Sequence, residues 1–91
     1  METKQIEKIS KALGDVSRLT ILQHMSKNKG VIQCSDIICL LDLAQPSVSH
    51  HIKTLTEAGL IEPEKEGRSY SYQLNTALLN DYIAMMKKIA N

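Results

Sequence analysis

The first half of the chain repeats apolar side chains at the three- and four-residue spacing of amphipathic helices. A short helix is predicted over residues 3–13, ending before Gly14, with apolar positions at Ile6, Ile9 and Leu13. Asp15 can cap a second helix, because its carboxylate can accept hydrogen bonds from the first backbone N–H groups. This second helix is predicted to be central and well buried, since apolar residues lie nearly all round its axis: Val16, Leu19, Ile21, Leu22 and Met25.

Residues 33–59 predict two short helices joined by a tight turn, which is a helix-turn-helix. A brief β-bridge is predicted just before it, at Val31 and Ile32. The buried stripe of the first helix is Ile37, Ile38 and Leu41, and the residues expected in the turn are Leu43 and Ala44. Pro46 suits the first turn of the second helix, because proline lacks the N–H that would be unpaired there. This helix should begin near Gln45 and end before Gly59, with an inward stripe of Val48, Ile52 and Leu55.

Residues 60–74 change to the twofold alternation that is typical of strands. Two strands on either side of a turn at Glu66 and Gly67 predict a β-hairpin, and a hairpin directly after a helix-turn-helix is a wing. Pro63 limits the first strand to a sheet edge, because proline cannot donate a backbone hydrogen bond. The second strand places three apolar or aromatic side chains on one face: Tyr70, Tyr72 and Leu74.

A last helix is predicted over residues 76–90, with Asn75 or Thr76 as its cap. Its apolar stripe is wider than one small core requires, and no later segment can cover its end. The helices at 3–13 and 76–90 are therefore expected to form a homodimer. The expected interface consists of Ile6, Ile9, Tyr82, Met85, Met86 and Ile89.

Composition excludes several classes of protein. The 91 residues suit one domain, and the scarcity of aromatic residues (three Tyr, no Phe or Trp) counts against single-stranded nucleic-acid binding. The net charge of +1 predicts only moderate salt dependence of any duplex binding. No apolar run reaches the roughly 20 residues of a membrane span and no signal sequence opens the chain, so we expect a cytoplasmic protein with reduced cysteines and no membrane partner.

The order of elements and three motifs resemble the ArsR/SmtB family of winged helix-turn-helix repressors. The matching segments are ALGDVSRLTIL at 12–22, QPSVSHHIKTLTEAGLI at 45–61 and GRSYSYQL at 67–74. The resemblance implies a mainly α fold with a small β-hairpin, in the order α-α-(β)-α-α-β-β-α. It also implies a homodimer that binds a palindromic operator in double-stranded DNA and is released by an inducer.

Short polar side chains on the outward face of the second helix of the motif can reach base edges in a major groove. With the resemblance, they predict a set of DNA-contacting residues: Gln45, Ser47, Val48, Ser49, His50, Lys53 and Arg68. Lys53 and the wing residue Arg68 would contact phosphate, whereas His51 and Tyr72 would be mainly structural. Repulsion from phosphates requires the three wing carboxylates to face away from DNA, namely Glu62, Glu64 and Glu66.

The sequence departs from the family's metal-sensing motifs. The arsenic and cadmium type carries Cys-x-Cys-Asp before the helix-turn-helix, and this chain has Gln33-Cys34-Ser35-Asp36. Cys34 and Cys39 would lie about 140° apart on one helix, which suits neither a disulfide nor a shared metal. Cys39 is expected to pack in the core and Cys34 to be more exposed. We therefore predict no metal site and no cofactor, with an unidentified small-molecule or protein inducer, if any.

Two alternatives stay open from the sequence. A winged-helix protein-interaction module with weak or no DNA binding would suit the near-neutral charge and the three wing carboxylates. A thiol- or metal-responsive repressor would use Cys34 and Cys39. The sequence gives little support for a catalytic function, because no nucleophile and base occur at recognisable spacing and no glycine-rich phosphate loop is present.

Overall fold

Five helices and a three-stranded antiparallel sheet make up the fold in a computed structural model, which describes all residues from Met1 to Asn91. The elements in chain order are α1 (Thr3–Leu13), α2 (Val16–Lys27), β1 (Val31–Gln33), α3 (Cys34–Leu41), α4 (Gln45–Glu57), β2 (Ile61–Glu66), β3 (Ser69–Leu74) and α5 (Thr76–Ala90). This order agrees with the sequence prediction. No helix has the length and apolar character needed to cross a bilayer.

Side chains and a glycine set the helix ends where the sequence predicts them. Asp15 accepts a hydrogen bond from the backbone N–H of Arg18 at 3.1 Å, and Asn75 accepts one from the N–H of Leu78 at the same distance. Gly59 follows α4 with a φ of +82°, and a Cβ there would lie 3.2 Å from Cδ2 of Leu78. Glycine at this position therefore avoids both backbone strain and a tight contact.

Two turns differ from their predictions. Asp42 ends α3 in the left-handed region with a φ of +48°, so the turn between α3 and α4 begins one residue before Leu43. Aspartate tolerates this conformation better than most residues. In the wing Glu66 pairs with Ser69, so the turn residues are Gly67 and Arg68, and the prediction of Glu66 in the turn was wrong. Positive φ at Gly67 alone fits a type II′ turn and leaves Arg68 at the tip.

The sheet has the strand order β1-β3-β2, with β3 in the middle. The brief β-bridge expected near Ile32 is a three-residue strand, in which Ile32 pairs with Tyr72. Pro63 lies on the outer strand β2, as predicted. The pairing of Glu64 with Ser71 and of Lys65 with Tyr70 puts the wing carboxylates on the face opposite the tyrosines.

The core joins α1, α2, β1, α3, α4 and the start of β2 around eleven buried residues: Ile9, Ala12, Ile21, Met25, Ile32, Ile37, Val48, Leu55, Ala58, Leu60 and Ile61. The predicted burial of α2 on all sides was wrong, because Val16 is 81% exposed and Leu19 is 41% exposed. Ile21 and Met25 are the buried residues of α2, and Leu22 is partly buried against the core. Ile38 also departs from its prediction, since α3 buries only Ile37 and leaves Ile38 46% exposed.

Helix α5 contributes no fully buried residue to the core, although seven of its positions carry large apolar or aromatic side chains: Leu78, Leu79, Tyr82, Ile83, Met85, Met86 and Ile89. Ile83 is 43% exposed and Ile89 is 76% exposed. Ile6 on α1 is half-buried, but Ile9 is fully buried inside the chain's own core. Ile9 was therefore wrongly predicted as an interface residue, because core packing already covers its side chain.

Candidate nucleic-acid interface

The exposed face of α4 carries a strip of polar side chains. Four of them lie in its first half, namely Gln45, Ser47, Ser49 and His50, and Lys53 continues the strip one turn further on. Val48 is only 6% exposed and belongs to the core, so it was wrongly predicted as a DNA contact. At 100° per residue, its side chain points away from the side of the helix that His50 and Lys53 occupy.

The first turn of α4 is open to an outside acceptor. Ala44 occupies the N-cap position and offers no side-chain oxygen, and its carbonyl accepts from the N–H groups of Ser47 and Val48 at 3.0 and 3.1 Å. Pro46 has no N–H, which leaves the N–H of Gln45 as the donor that this turn can offer. Backbone N–H groups at a helix N-terminus attract anions, because the helix dipole is positive there. A phosphate group near Gln45 would therefore be favoured by the backbone as well as by the side chains.

His51 holds α4 from behind. Its side chain is 13% exposed, and Nη1 of Arg18 donates to its Nδ1 at 3.1 Å. Arg18 also donates from Nε to the carbonyl of Ala12 at 2.7 Å and from Nη2 to the carbonyl of Lys11 at 3.1 Å. The prediction that His51 is structural is confirmed, and its partners connect α4 to the ends of α1 and α2.

Asp15 completes this cluster. Its Oδ2 lies 3.7 Å from Nδ1 of His51 and accepts the N–H of Arg18. That backbone hydrogen bond lowers the pKa of Asp15 below the usual 3.8 against the opposing effect of desolvation, and the charge of Arg18 lowers it further. The carboxylate of Asp15 is therefore ionised in the folded protein at neutral pH.

The wing stands beside α4 and leaves a groove of about 360 Å³ between them. Ile38, Ile52 and Pro63 contribute to its apolar wall, and Tyr70 and Tyr72 close one side with ring centroids 5.5 Å apart in an edge-to-face arrangement. Burial raises the pKa of Tyr72 to about 12, assisted by the neighbouring Tyr70 and Cys34. The hydroxyl of Tyr72 therefore stays protonated at neutral pH, and its side chain packs between the wing and the helix-turn-helix.

Besides the largely buried Val48, three of the predicted contact residues line this groove: Gln45, Ser49 and Lys53. Their spacing of four residues puts them on the wing side of α4, whereas Ser47 lies round the helix towards α2. Lys53 also lies 3.9 Å from Glu57 in an exposed ion pair, which contributes little to stability and leaves the lysine free to exchange partners.

Arg68 is exposed at the tip of the wing, far along the chain from α4. Lys65 occupies the strand face that Tyr70 shares, and Tyr70 lines the groove beside α4, so this wing cation lies on the α4 side of the sheet. Glu62 on the opposite face lies 3.5 Å from the side-chain nitrogen of Asn75. The three wing carboxylates therefore lie on the face away from the tyrosines and α4, as repulsion from DNA phosphates requires.

Both cysteines lie on α3 and both are exposed. The prediction that Cys34 is exposed is confirmed. The predicted burial of Cys39 was wrong, because no other element covers the face of α3 that carries it. His24 stands on α2, apart from His50 and His51 on α4. No group of three or more His, Cys, Asp or Glu side chains comes together in a way that could hold a metal ion.

Sequence reasoning missed the role of Arg18. The segment GDVSR shows an acidic cap three residues before an arginine, but helical spacing alone predicts a local pair between Asp15 and Arg18. The contact with His51 spans 33 positions and depends on how α2 packs on α4. No local signal in the sequence could have revealed it.

Comparison with known proteins agrees with this architecture. Residues 15–62 match the model of the bacterial regulatory protein arsR family. The arsenical resistance operon repressor of Staphylococcus aureus is 39% identical over 83 residues, covering 91% of this chain and 78% of the relative. The transcriptional repressor SdpR of Bacillus subtilis is 32% identical over 83 residues, covering 91% and 90%.

A solved structure shows the same fold. It is the solution structure of a homodimeric winged helix-turn-helix DNA-binding domain from Mycobacterium bovis, with a TM-score of 0.73 and 23% identity over 96% of this chain and 79% of the other. The family match covers the helix-turn-helix and the cluster around Asp15, and the shared fold also includes the wing and both end helices. The chain belongs to the ArsR family of bacterial regulatory proteins and has its winged helix-turn-helix fold.

Proposed function

We propose that the protein is a transcriptional repressor that binds double-stranded DNA as a homodimer, with α4 in the major groove. The observation that carries this proposal is the polar strip on α4, which stays exposed while Val48 and Leu55 fix the helix to the core from behind. Such a helix presents donors and acceptors without having to move. The relatives named as repressors support the same role.

Within α4 the residues divide by the contact that each can make. Gln45, Ser47, Ser49 and His50 are proposed to meet base edges, because their side chains are short or planar and carry both donors and acceptors. Lys53 and Arg68 are proposed to contact phosphates on either side of the groove. Two cations per protomer predict a moderate salt dependence, since each neutralised phosphate releases counterions.

The homodimer is proposed to form through α1 and α5. Apolar residues of α5 lie partly or largely exposed along one helix, with Tyr82, Met85 and Met86 half-buried and Ile89 at 76% exposure. A second copy would remove this surface from water. The homodimeric domain from Mycobacterium bovis shares the fold and supports this arrangement. Two α4 helices related by a twofold axis would then read two half-sites about 10–10.5 base pairs apart.

Selection of duplexes from a random library by the full chain tests the proposal. We expect enrichment of sequences with twofold symmetry and a negative slope of log affinity against log salt concentration. Arg68→Ala should reduce the magnitude of that slope by about 1 per protomer without changing the selected sequence. His24→Ala on α2, outside the interface, is the control. Failure to enrich any sequence, or binding that salt does not affect, would contradict the proposal.

A further inference from the structure

The guanidinium group of Arg18 hydrogen-bonds to two helices besides its own. Two of its nitrogens donate to the last turn of α1, at the carbonyls of Lys11 and Ala12. The third donates to His51 in the middle of α4. The carbonyls at a helix end lack partners within the helix, so Arg18 satisfies the end of α1 and the flank of α4 with one rigid group.

We propose that Arg18 is a positioning residue for DNA recognition, which acts through His51 to hold α4 at a set orientation relative to α1. The proposal rests on the proposed function, in which α4 reads DNA and α1 belongs to the dimer interface. Because two copies of α4 must match two half-sites, a small rotation of α4 against α1 would spoil the match while leaving each domain folded.

The hydrogen-bond roles follow from the chemistry of the two groups. Arginine carries donors only and keeps its charge, so Nδ1 of His51 must accept. The proton of the neutral ring then lies on Nε2. Oδ2 of Asp15 lies 3.7 Å from the same Nδ1, but it accepts its hydrogen bond from the backbone N–H of Arg18. The carboxylate therefore attracts the guanidinium group and does not take its place as the hydrogen-bond partner of His51. Position 51 therefore needs an acceptor at the place of Nδ1.

The planar fork of Arg18 is what lysine could not reproduce. Three nitrogens in fixed geometry reach three acceptors that come from two helices. A lysine would bring one ammonium group with comparable charge but without this geometry. Charge alone therefore does not explain Arg18, and Arg18→Lys separates charge from positioning.

A double-mutant cycle on DNA affinity tests the proposal with a duplex that the parent protein selects from a random library. We expect Arg18→Lys and His51→Leu each to lower affinity for this duplex about tenfold, and the double variant to lower it about tenfold as well. Affinity for an unrelated duplex should stay within about twofold of the parent, because phosphate contacts dominate nonspecific binding. Independent effects that multiply to about a hundredfold would overturn the proposal.

Conservative rescue provides a readout that a merely structural histidine would not show. His51→Asn supplies a carbonyl oxygen close to the place of Nδ1, so it should bind the selected duplex within about threefold of the parent, while His51→Leu should not. His24→Leu, a half-buried histidine on α2, is the matched control and should bind like the parent. Equal affinities for His51→Asn and His51→Leu would overturn the proposal.

Amide hydrogen exchange of the free protein separates this proposal from the proposed function. In Arg18→Lys the amides of α4 should exchange faster than in the parent, while those of β2 and β3 should not change. A protein that selects no duplex overturns the proposed function, and exchange alone then decides whether Arg18 holds α4. Unchanged exchange throughout α4 would overturn the positioning role.

Discussion

The hydroxyl oxygens of Ser10 and Tyr82 lie 2.8 Å apart and form a hydrogen bond between α1 and α5. These two helices come from opposite ends of the chain and carry the surface proposed to form the dimer. The bond joins the two helices within one protomer, beside the surface that the partner would meet.

Tyr82→Phe removes this bond and keeps the ring. We expect the free energy of unfolding to fall by about 0.5–1.5 kcal/mol, as is usual for one hydrogen bond. Urea denaturation at fixed protein concentration measures the change. Ser10→Ala should have a similar effect, and the double variant should be little less stable than either single variant. Additive effects would show that the two hydroxyls act separately.

Met86→Glu should shift the protein from dimer to monomer. Placing an unpaired carboxylate in an apolar interface costs on the order of several kcal/mol, because the charge is stripped of its hydration. Sedimentation equilibrium measures the dissociation, and affinity for twofold-symmetric duplexes should fall with it. Asn80→Glu adds the same charge at an exposed position of α5 and should leave the dimer intact. A Met86→Glu protein that remains dimeric would place the interface elsewhere.

Ser47→Ala and His50→Ala should weaken discrimination between the selected duplex and its base-substituted forms. The expected reduction is about 1–3 kcal/mol for each well-formed hydrogen-bonding pair with a base that the substitution removes. Both side chains are exposed, so thermal unfolding should change little. Competition binding with single-base variants of the duplex measures the discrimination. If both variants discriminate like the parent, the assignment of the reading face is wrong.

Val48→Ala is expected to act on the fold instead. Val48 is 6% exposed, and shortening it leaves a cavity that should cost about 1–3 kcal/mol of unfolding free energy. Discrimination between duplexes, measured below the unfolding transition, should match that of the parent. Reduced base discrimination with unchanged stability would restore Val48 to the interface.

The cap at Asp15 should make stability depend on acid pH. Because the folded pKa lies below the unfolded value of 3.8, the stabilisation is complete above that value and is lost as pH falls through the folded pKa. Asp15→Asn keeps an oxygen that can cap α2 but cannot ionise, so its stability should fall less between about pH 5 and pH 2.5. Urea denaturation across this range measures the difference. Asp81→Asn on α5 is the control. If the stability of Asp15→Asn falls with pH as steeply as that of the parent, ionisation of Asp15 is not the cause of the acid dependence.

The helices, the wing and their order could be predicted from the sequence, because they depend on local signals. Each of these signals acts over a few residues along the chain: the helical spacing, the caps Asp15 and Asn75, and the positive-φ Gly59. The polar strip on α4 could be predicted in the same way, since helical periodicity divides its inner side from its outer side.

Which apolar or thiol side chains are covered depends on the packing of elements that are distant in the chain. Ile9 lies in the core while Ile38 and Cys39 are exposed, although each of the three occupies a helix. Periodicity defines a face, but another element, distant in the chain, has to cover it. The hydrogen bond of Arg18 to His51 depends on the same condition, because α2 and α4 meet only when the core has formed.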